Sequence, residues 1–383
     1  MRGLVACLLL LLLAGQAAAQ ETPDEKRRGL FRDPEDGAFD ASEWLLDRKG
    51  FLPMPILITE PAVGYGAGFG LLFFRESIRE RAAKAEGGKL TPPDIYAVAL
   101  AATENGTKFL GGGGLVTFDE DRWRWRGGLG RADVNLDFYG AGGNLGTGDV
   151  KLGYNVQGWV SSQQVFRRLG ETNNFVAARW IWLDLESQFD AGRPEPVLPP
   201  RARAVKSSGL GASLEHDSRD NFFTPSRGWK GSVEAMFYSP EIGSDNKYET
   251  YRALAFGYYP LAKAWVLGAR LDARTSRGDV PFYQLPFIEL RGIPVARYQD
   301  QSTAAAEGEL RWDVTPRWAA IGFLGRGRAW GTSTAFSDAQ SVATKGVGFR
   351  YLIARRLGLY VGGDVARGPE KTAIYIQAGS AWR

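Results

Sequence analysis

Histidine and cysteine are almost missing from this chain: His216 is the one histidine and Cys7 the one cysteine among 383 residues. A His/Cys metal centre needs several such ligands, and a Ser-His or Cys-His pair needs a histidine free to act as base. Neither can be assembled, so no catalytic residue, metal ligand or cofactor is assigned and no enzyme is expected. An excess of one charge is missing too. The 47 basic and 43 acidic residues leave +4, which gives no electrostatic reason to expect nucleic acid. Beyond the first twenty residues no apolar run reaches the ~18 residues that a membrane helix requires.

Those first twenty residues read as a targeting segment. Arg2 supplies a positive start, Leu4 to Ala14 an apolar stretch and Ala17-Ala18-Ala19 a small-residue cleavage site. Residues 1–19 are therefore expected to leave as a signal peptide, taking Cys7 with them; the exported chain would then lack disulfides. Residues 20–50 form a charged leader with one apolar knot, Trp44-Leu45-Leu46. Two readings stay open for it: a disordered periplasmic tail, or a short amphipathic helix that plugs a lumen or lies on the inner leaflet. It is too short for an independent α/β domain.

What the chain has in quantity is glycine (49 residues) and aromatics (12 Trp, 14 Tyr, 21 Phe), laid out with a period of two. Val63, Tyr65, Ala67, Phe69, Leu71 and Phe73 alternate with Gly64, Gly66, Gly68 and Gly70. In residues 122–126, Trp123 and Trp125 alternate with Arg122, Arg124 and Arg126, which puts three guanidinium groups on the face opposite the rings. Trp229, Gly231, Val233, Ala235 and Phe237 alternate with Lys230, Ser232 and Glu234, and Trp265, Leu267, Ala269 and Leu271 with Gly268, Arg270 and Asp272. Successive side chains of a strand point to opposite faces, so each segment has one face for hydrocarbon and one for water. The segments run to ten residues or more, whereas soluble strands are usually about 5–6 long and a barrel strand crosses a membrane in roughly 9–11. The fold expected from residue 51 to residue 383 is thus an all-β transmembrane antiparallel barrel.

Fifteen segments are counted, the first near 62–74 and the last near 371–382. Bacterial single-chain barrels carry even numbers. Sixteen strands are expected, with the uncounted one placed around 133–141. Turn signals at Asn105-Gly106, 170–173, 260–263 and Pro316 are assigned to one end of the barrel. Segments 75–94, 187–206, 240–249 and 277–303 are assigned to the extracellular end. The lumen would hold Arg122, Arg124, Arg126, Lys151, Lys230, Arg270, Arg274 and Arg311 facing Glu234, Asp272, Glu307, Glu309 and Asp313. His216-Asp217-Ser218 has the letters of a hydrolase triad, but adjacent residues on a strand or turn do not face one another and cannot form a relay.

Three segments resemble the outer-membrane insertase superfamily that contains the BamA and TamA proteins, also called the bacterial surface antigen family. Residues 216–229 hold Asp217, Arg219, Asp220, Pro225 and Gly228, similar to that family's Asp-Ser-Arg-Asp turn followed by Pro-x-x-Gly. Leu290-Arg291-Gly292-Ile293 resembles its loop signature of an apolar residue, Arg, Gly and an aromatic, with Ile293 in the aromatic place. Phe323-Leu324-Gly325-Arg326-Gly327 resembles its Phe-x-Asp-x-Gly strand, with Gly325 where the acid is expected. The resemblance implies a long extracellular loop folded into the lumen, with Arg291 meeting Glu309 and Glu307 on the inner wall. It covers about 207–383, and the periplasmic receiving (POTRA) domains of BamA and TamA are not expected here. Gln377, Gly379 and Trp382 are similar to the terminal sorting signal of outer-membrane proteins.

What the resemblance implies is residence in the outer membrane and a part in protein or lipid assembly or translocation there. The partners implied are outer-membrane lipid and lipopolysaccharide, the assembly machinery during insertion, and a periplasmic partner or client protein. A passive pore or structural barrel that handles no client is the alternative.

Overall fold

A computed structural model describes residues 30–84, 93–138, 152–190, 203–331 and 334–382. Sixteen antiparallel strands follow one another around a single sheet, each paired with its sequence neighbours. They are β1 (Gly50–Ile58), β2 (Gly66–Phe74), β3 (Ile95–Thr103), β4 (Lys108–Phe118), β5 (Trp123–Phe138), β6 (Leu152–Arg168), β7 (Asn174–Asp190) and β8 (Arg203–Asp217), then β9 (Gly228–Tyr238), β10 (Tyr248–Ala262), β11 (Trp265–Gly278), β12 (Ser302–Asp313), β13 (Trp318–Trp330), β14 (Ser341–Ala354), β15 (Leu359–Arg367) and β16 (Thr372–Ala378). Two short helices, α1 (Ser42–Leu46) and α2 (Ile78–Lys84), lie outside the wall.

The period-two pattern decides which face each residue takes. On β13 Ala319, Ile321 and Phe323 are buried inward, while Leu324 outward is 68% exposed. Val98 and Leu100 on β3, Leu210 and Leu214 on β8, Leu271 on β11 and Val347 on β14 are likewise large, apolar and exposed. An apolar surface this continuous has no place in water and marks the hydrocarbon belt. Aromatics gather where β11–β14 meet the barrel end that carries the N-terminal segment: Trp265 stacks on Trp312 with centroids 5.3 Å apart, and Trp318 lies against Tyr351 at 4.9 Å. Such a girdle belongs at a membrane–water interface.

The strand count agrees with expectation, but the uncounted strand is β1, and residues 133–138 are the last part of β5. The segment Gly50-Phe51-Leu52-Pro53-Met54-Pro55 does not look like a strand because proline cannot donate to a ladder. It is one because it lies at an edge. β1 pairs with β2 without a break from Gly50↔Phe74 to Ile58↔Gly66. Prolines two residues apart present their missing N–H groups on the same edge, here the one turned away from β2.

Moving the extra strand to the front reverses the ends assigned to the early connections. Segment 75–94, with α2, lies at the near end, which also holds residues 30–49 and the C-terminus. Asn105-Gly106, between β3 and β4, lies at the far end. From β6 onward the assignments stand: turns 169–173, 218–227, 263–264 and 314–317 are near-end, and loops 239–247 and 279–301 are far-end. The Pro-rich stretch 191–202 falls outside the described residues, as do the expected signal peptide and Lys151.

No ladder joins β1 to β16 among the described residues. β16 has only seven residues, and Gly379 (φ +79°) then turns the chain into the lumen. The wall therefore has one seam without backbone pairing.

Candidate functional site

Loop 279–301 leaves β11 at the far end and folds into the barrel. An apolar cluster seats it: Ile288, Leu290 and Ile293 of the loop pack with Ala305, Ala329 and Val342 of the wall. Gly325 matters here through what it lacks. A Cβ at that position would stand 3.0 Å from Leu290 Cδ2 and 2.8 Å from Thr344 Oγ1, so its absence makes the pocket for Leu290.

Arg291 occupies the centre of the site. Its Nε and Nη2 donate to Glu307 Oε1 at 2.9 and 2.6 Å, and Nη2 lies 2.7 Å from Glu309 Oε2. Its Nη1 donates to Asp364 Oδ2 at 2.9 Å, and its carbon sits 3.5 Å from the ring centroid of Phe323. Asp364 is fully buried and also receives Arg350, at 2.6 and 3.0 Å. The cation is thus met by carboxylates from two parts of the wall, β12 and β15, and by an aromatic face from β13. That is the geometry a planar five-donor group satisfies best. The two acids named from sequence are both in contact. The third, Asp364 of β15, was not among the residues expected from sequence. Its inward side was legible, because Val361 and Val365 on the same strand point outward and Asp364 stands at the opposite parity.

Gly292 brings the backbone close to the wall. Its φ is +92°, its N–H donates to Tyr375 Oη of β16 at 2.9 Å, and an added Cβ would meet Gly368 N at 2.9 Å. Farther along the loop, Val295 N donates to Glu60 Oε1 at 3.2 Å, in the β1–β2 turn. Arg297 and Tyr298 reach Glu370 in the β15–β16 turn at 2.8 and 2.5 Å. One loop therefore touches both sides of the unpaired seam. Its other flank is held by Glu289, which ion-pairs with Arg252, Arg270 and Arg274, all three also bonded to the buried Asp272.

The C-terminus joins the same centre. Trp382 is buried in the lumen, and its Nε1 donates to Glu307 Oε1 at 2.9 Å, the oxygen that holds Arg291. Of the expected sorting residues, Gln377 lies in the ladder opposite Gly362 and Gly379 makes the inward turn. Tyr258 and Ser380 hydrogen-bond each other beside the indole.

The family-type turn 218–227 closes the near end. Asp217 accepts both Nε and Nη2 of Arg219, at 2.8 and 2.6 Å, and Asp220 Oδ1 accepts the N–H groups of Ser226 and Arg227 at 2.9 and 3.2 Å. Gly228 (φ +90°) has no room for a side chain, since a Cβ would stand 2.3 Å from Ser218 O. The turn reaches across the lumen. Asn221 donates to Leu357 O at 2.9 Å, Phe223 O accepts Ser380 N at 2.6 Å, and Pro225 O and Ser226 Oγ accept Arg311 at 3.3 and 2.6 Å. His216 pairs with Asn174 at 2.8 Å and stacks on Trp229, apart from Ser218.

The expected ladder Arg122, Arg124, Arg126 does not form as a unit. Arg124 pairs with Asp121 at 2.6 Å and lies over Phe175, and Arg126 donates to Gln164 and lies over Phe166. Arg122 stands in the turn instead, 60% exposed and 3.9 Å from Asp119. The strand starts one residue later than its sequence pattern because Asp119, Glu120 and Asp121 all take positive φ and make the turn.

At the near end, residues 30–49 are ordered by arginines of two wall turns. Arg317 ion-pairs with Asp33, Asp36 and Asp40 at 2.6, 2.7 and 2.6 Å, and Arg355 pairs with Asp36 at 2.6 Å. Glu43 of α1 ion-pairs with Arg356 beyond β14 and with Arg79 of α2 at 2.5 Å, again spanning the seam. The Arg317 hydrogen bond holds Asp36 well below the usual carboxylate range. Burial pushes Asp40 up, but hydrogen bonds from Ser42, Arg317 and the Arg355 N–H outweigh it and leave the group low.

Residues 130–290 match the model of the Omp85 superfamily domain. No curated protein sequence matches the chain. Among solved structures, BamA from Haemophilus ducreyi lacking POTRA domains 1–3 is similar at a TM-score of 0.57 and 14% identity, over 86% of this chain and 69% of that one. CdiB from Escherichia coli is similar at 0.56 and 11%, over 85% and 62%, and CdiB from Acinetobacter baumannii at 0.51 and 11%, over 86% and 60%. This chain thus spans less than two thirds of either CdiB, and at these identities the likeness is one of fold. The segment that matches the Omp85 superfamily domain is thus set in a sixteen-stranded antiparallel barrel whose fold is similar to that of BamA.

Proposed function

We propose that this barrel takes part in protein or lipid assembly or translocation at the outer membrane, and that loop 279–301 is its movable lumenal gate. One observation carries the proposal: the loop is held by side chains that reach both edges of a seam lacking backbone pairing, Glu60 on one side and Tyr375 and Glu370 on the other. A fixed plug needs no such link to the seam. A gate does, because displacing it would free the two edges together. Glu307 receives both Arg291 and Trp382, so movement of the loop and movement of the C-terminal strand would be coupled. The partners that fit are a client with an unpaired strand or a lipid chain entering at the seam, the assembly machinery that inserts this barrel, and outer-membrane lipid and lipopolysaccharide. Export through a cleaved signal at 1–19 belongs to the same proposal.

The test is a deletion strain complemented with wild-type or Arg291→Ala protein, followed by quantitative proteomics and lipid analysis of its outer membrane. Selective loss of one protein or lipid class in the deletion, not restored by the variant, is expected. A membrane unchanged by the deletion would leave a passive pore or structural barrel as the function.

A further inference from the structure

Cations that point outward from a barrel are costly at the bilayer midplane and tolerable near its interfaces. Some outward cations of this barrel stand beside an acid, and others, such as Arg131 and Arg167, stand singly among apolar residues. Lys206 lies 4.0 Å from Asp184, and Arg277 pairs in register with Glu249. The far-end halves of β13–β15 differ in gathering four outward cations with no acid among them. Arg326 and Arg328 of β13, Lys345 of β14 and Arg367 of β15 all take the outward parity of Leu324, Val347 and Val365. The outward positions of β12–β16 include no Asp or Glu.

The register makes the conflict sharper. Lys345 is directly opposite Arg367, and Arg326, opposite Ala343, is its diagonal neighbour across the other ladder. Like charges directly opposite one another destabilise a sheet. Arg326 and Lys345 have no hydrogen-bond or ion-pair partner among the described residues, and Arg367 has only Thr372 Oγ1 at 3.3 Å. Arg328 bonds Ser341 Oγ at 3.2 and 3.1 Å and Phe336 O at 3.0 Å, none of them charged. The acids in the flanking turns are engaged elsewhere: Glu370 by Arg297 and Tyr298, Asp338 by Ser337. Small neighbours, Ala304 and Ala306 on β12 and Ala343 on β14, leave the guanidinium of Arg326 uncovered.

Height along the wall fits an interface. Eight residues separate Arg326 from Trp318 in the near-end girdle. At ~3.3 Å per residue and a tilt of about 40°, that is roughly 20 Å of a band about 25 Å tall. The flexible stems of Lys345 and Arg367 let their charges rise to the same level.

We propose that Arg326, Lys345 and Arg367, with Arg328 above them, form a binding site on the outer wall for a phosphate-bearing lipid of the far-end leaflet, the chemistry that lipopolysaccharide presents in an outer membrane. The phosphate supplies the anion that the sheet lacks, and the acyl chains lie on the apolar wall of Leu324, Val347 and Val365. This site rests on placement in the outer membrane and not on the client-handling role, so its failure would leave that role untouched.

The test uses the purified full chain in detergent, titrated with bisphosphorylated lipid A and followed by native mass spectrometry. The wild type should retain the lipid. The triple variant Arg326→Gln/Lys345→Gln/Arg367→Gln, checked for heat-modifiable migration as a sign of folding, should bind at least about tenfold more weakly, given the attraction of each basic group for anionic lipid. Should the triple variant not fold, Lys345→Gln alone, which removes the like-charge pair, should still weaken binding. The charge-keeping variant Arg326→Lys should retain binding, and Lys206→Gln, at the acid-paired site, should not alter it. Dephosphorylated lipid A should bind poorly to every variant. Equal retention by wild type and the glutamine variants would overturn the proposal. So would full displacement by inorganic phosphate, which would make the ligand a free anion.

Discussion

Replacing Arg291 with alanine would leave Glu307, Glu309 and Asp364 gathered in the lumen, with Arg350 the one cation among the described residues still bonded to them. Breaking a buried charge cluster by removing one partner costs on the order of 3–5 kcal/mol. Arg291→Ala should therefore lower the thermal unfolding transition and expose loop 279–301 to protease. A double-mutant cycle with Asp364→Ala should give a coupling of about 1 kcal/mol or more; independent effects would remove Asp364 from the account. Gly325→Asp supplies a second check. Placing an acid there to resemble the family strand would displace Leu290 and so destabilise the loop, and a gain in stability would contradict the packing described. Arg291, Glu307 and Glu309 were legible because a short loop signature and two acids two residues apart on one strand survive as local patterns. Asp364 and Trp382 were not, since each enters the site from about 70 or more residues away through barrel closure, which no local pattern records.

Segment 30–49 tests the description at the level of an element. Its docking depends on carboxylates whose folded pKa values lie below their ordinary values, Asp36 through Arg317 and Asp40 through the net of its hydrogen bonds. A depressed folded pKa contributes stability that is fully present above the unfolded value, near ~4, and is lost as pH falls through the folded one. Hydrogen exchange over residues 30–49 should thus show protection at pH 7 that fades from about pH 4 downward, and Arg317→Ala should remove it at neutral pH. Protection unchanged at pH 3, or unchanged in Arg317→Ala, would contradict the ion-pair account. The strands themselves were largely legible from alternation. β1 escaped because Pro53 and Pro55 break the local pattern, while an edge with no partner on one side tolerates them. That one omission also exchanged the ends assigned to 75–94 and Asn105-Gly106, because each strand reverses the direction of the chain.

At the scale of the molecule, three inward segments obstruct the lumen: loop 279–301 from the far end, turn 218–227 from the near end, and the C-terminal residues 379–382 between them. The outward pattern makes a barrel in hydrocarbon, and the inward charges are spent largely on one another, which leaves few free to line an ion path. On the gate reading proposed above, the Arg291 centre is what keeps loop 279–301 inward and the lumen closed. The direct measurement is conductance across planar bilayers for wild type and Arg291→Ala under the same conditions. The account predicts that the wild type stays closed or flickers briefly, while Arg291→Ala shows frequent or sustained open states. Steady, equal conductance in both would show that Arg291 does not hold the lumen closed.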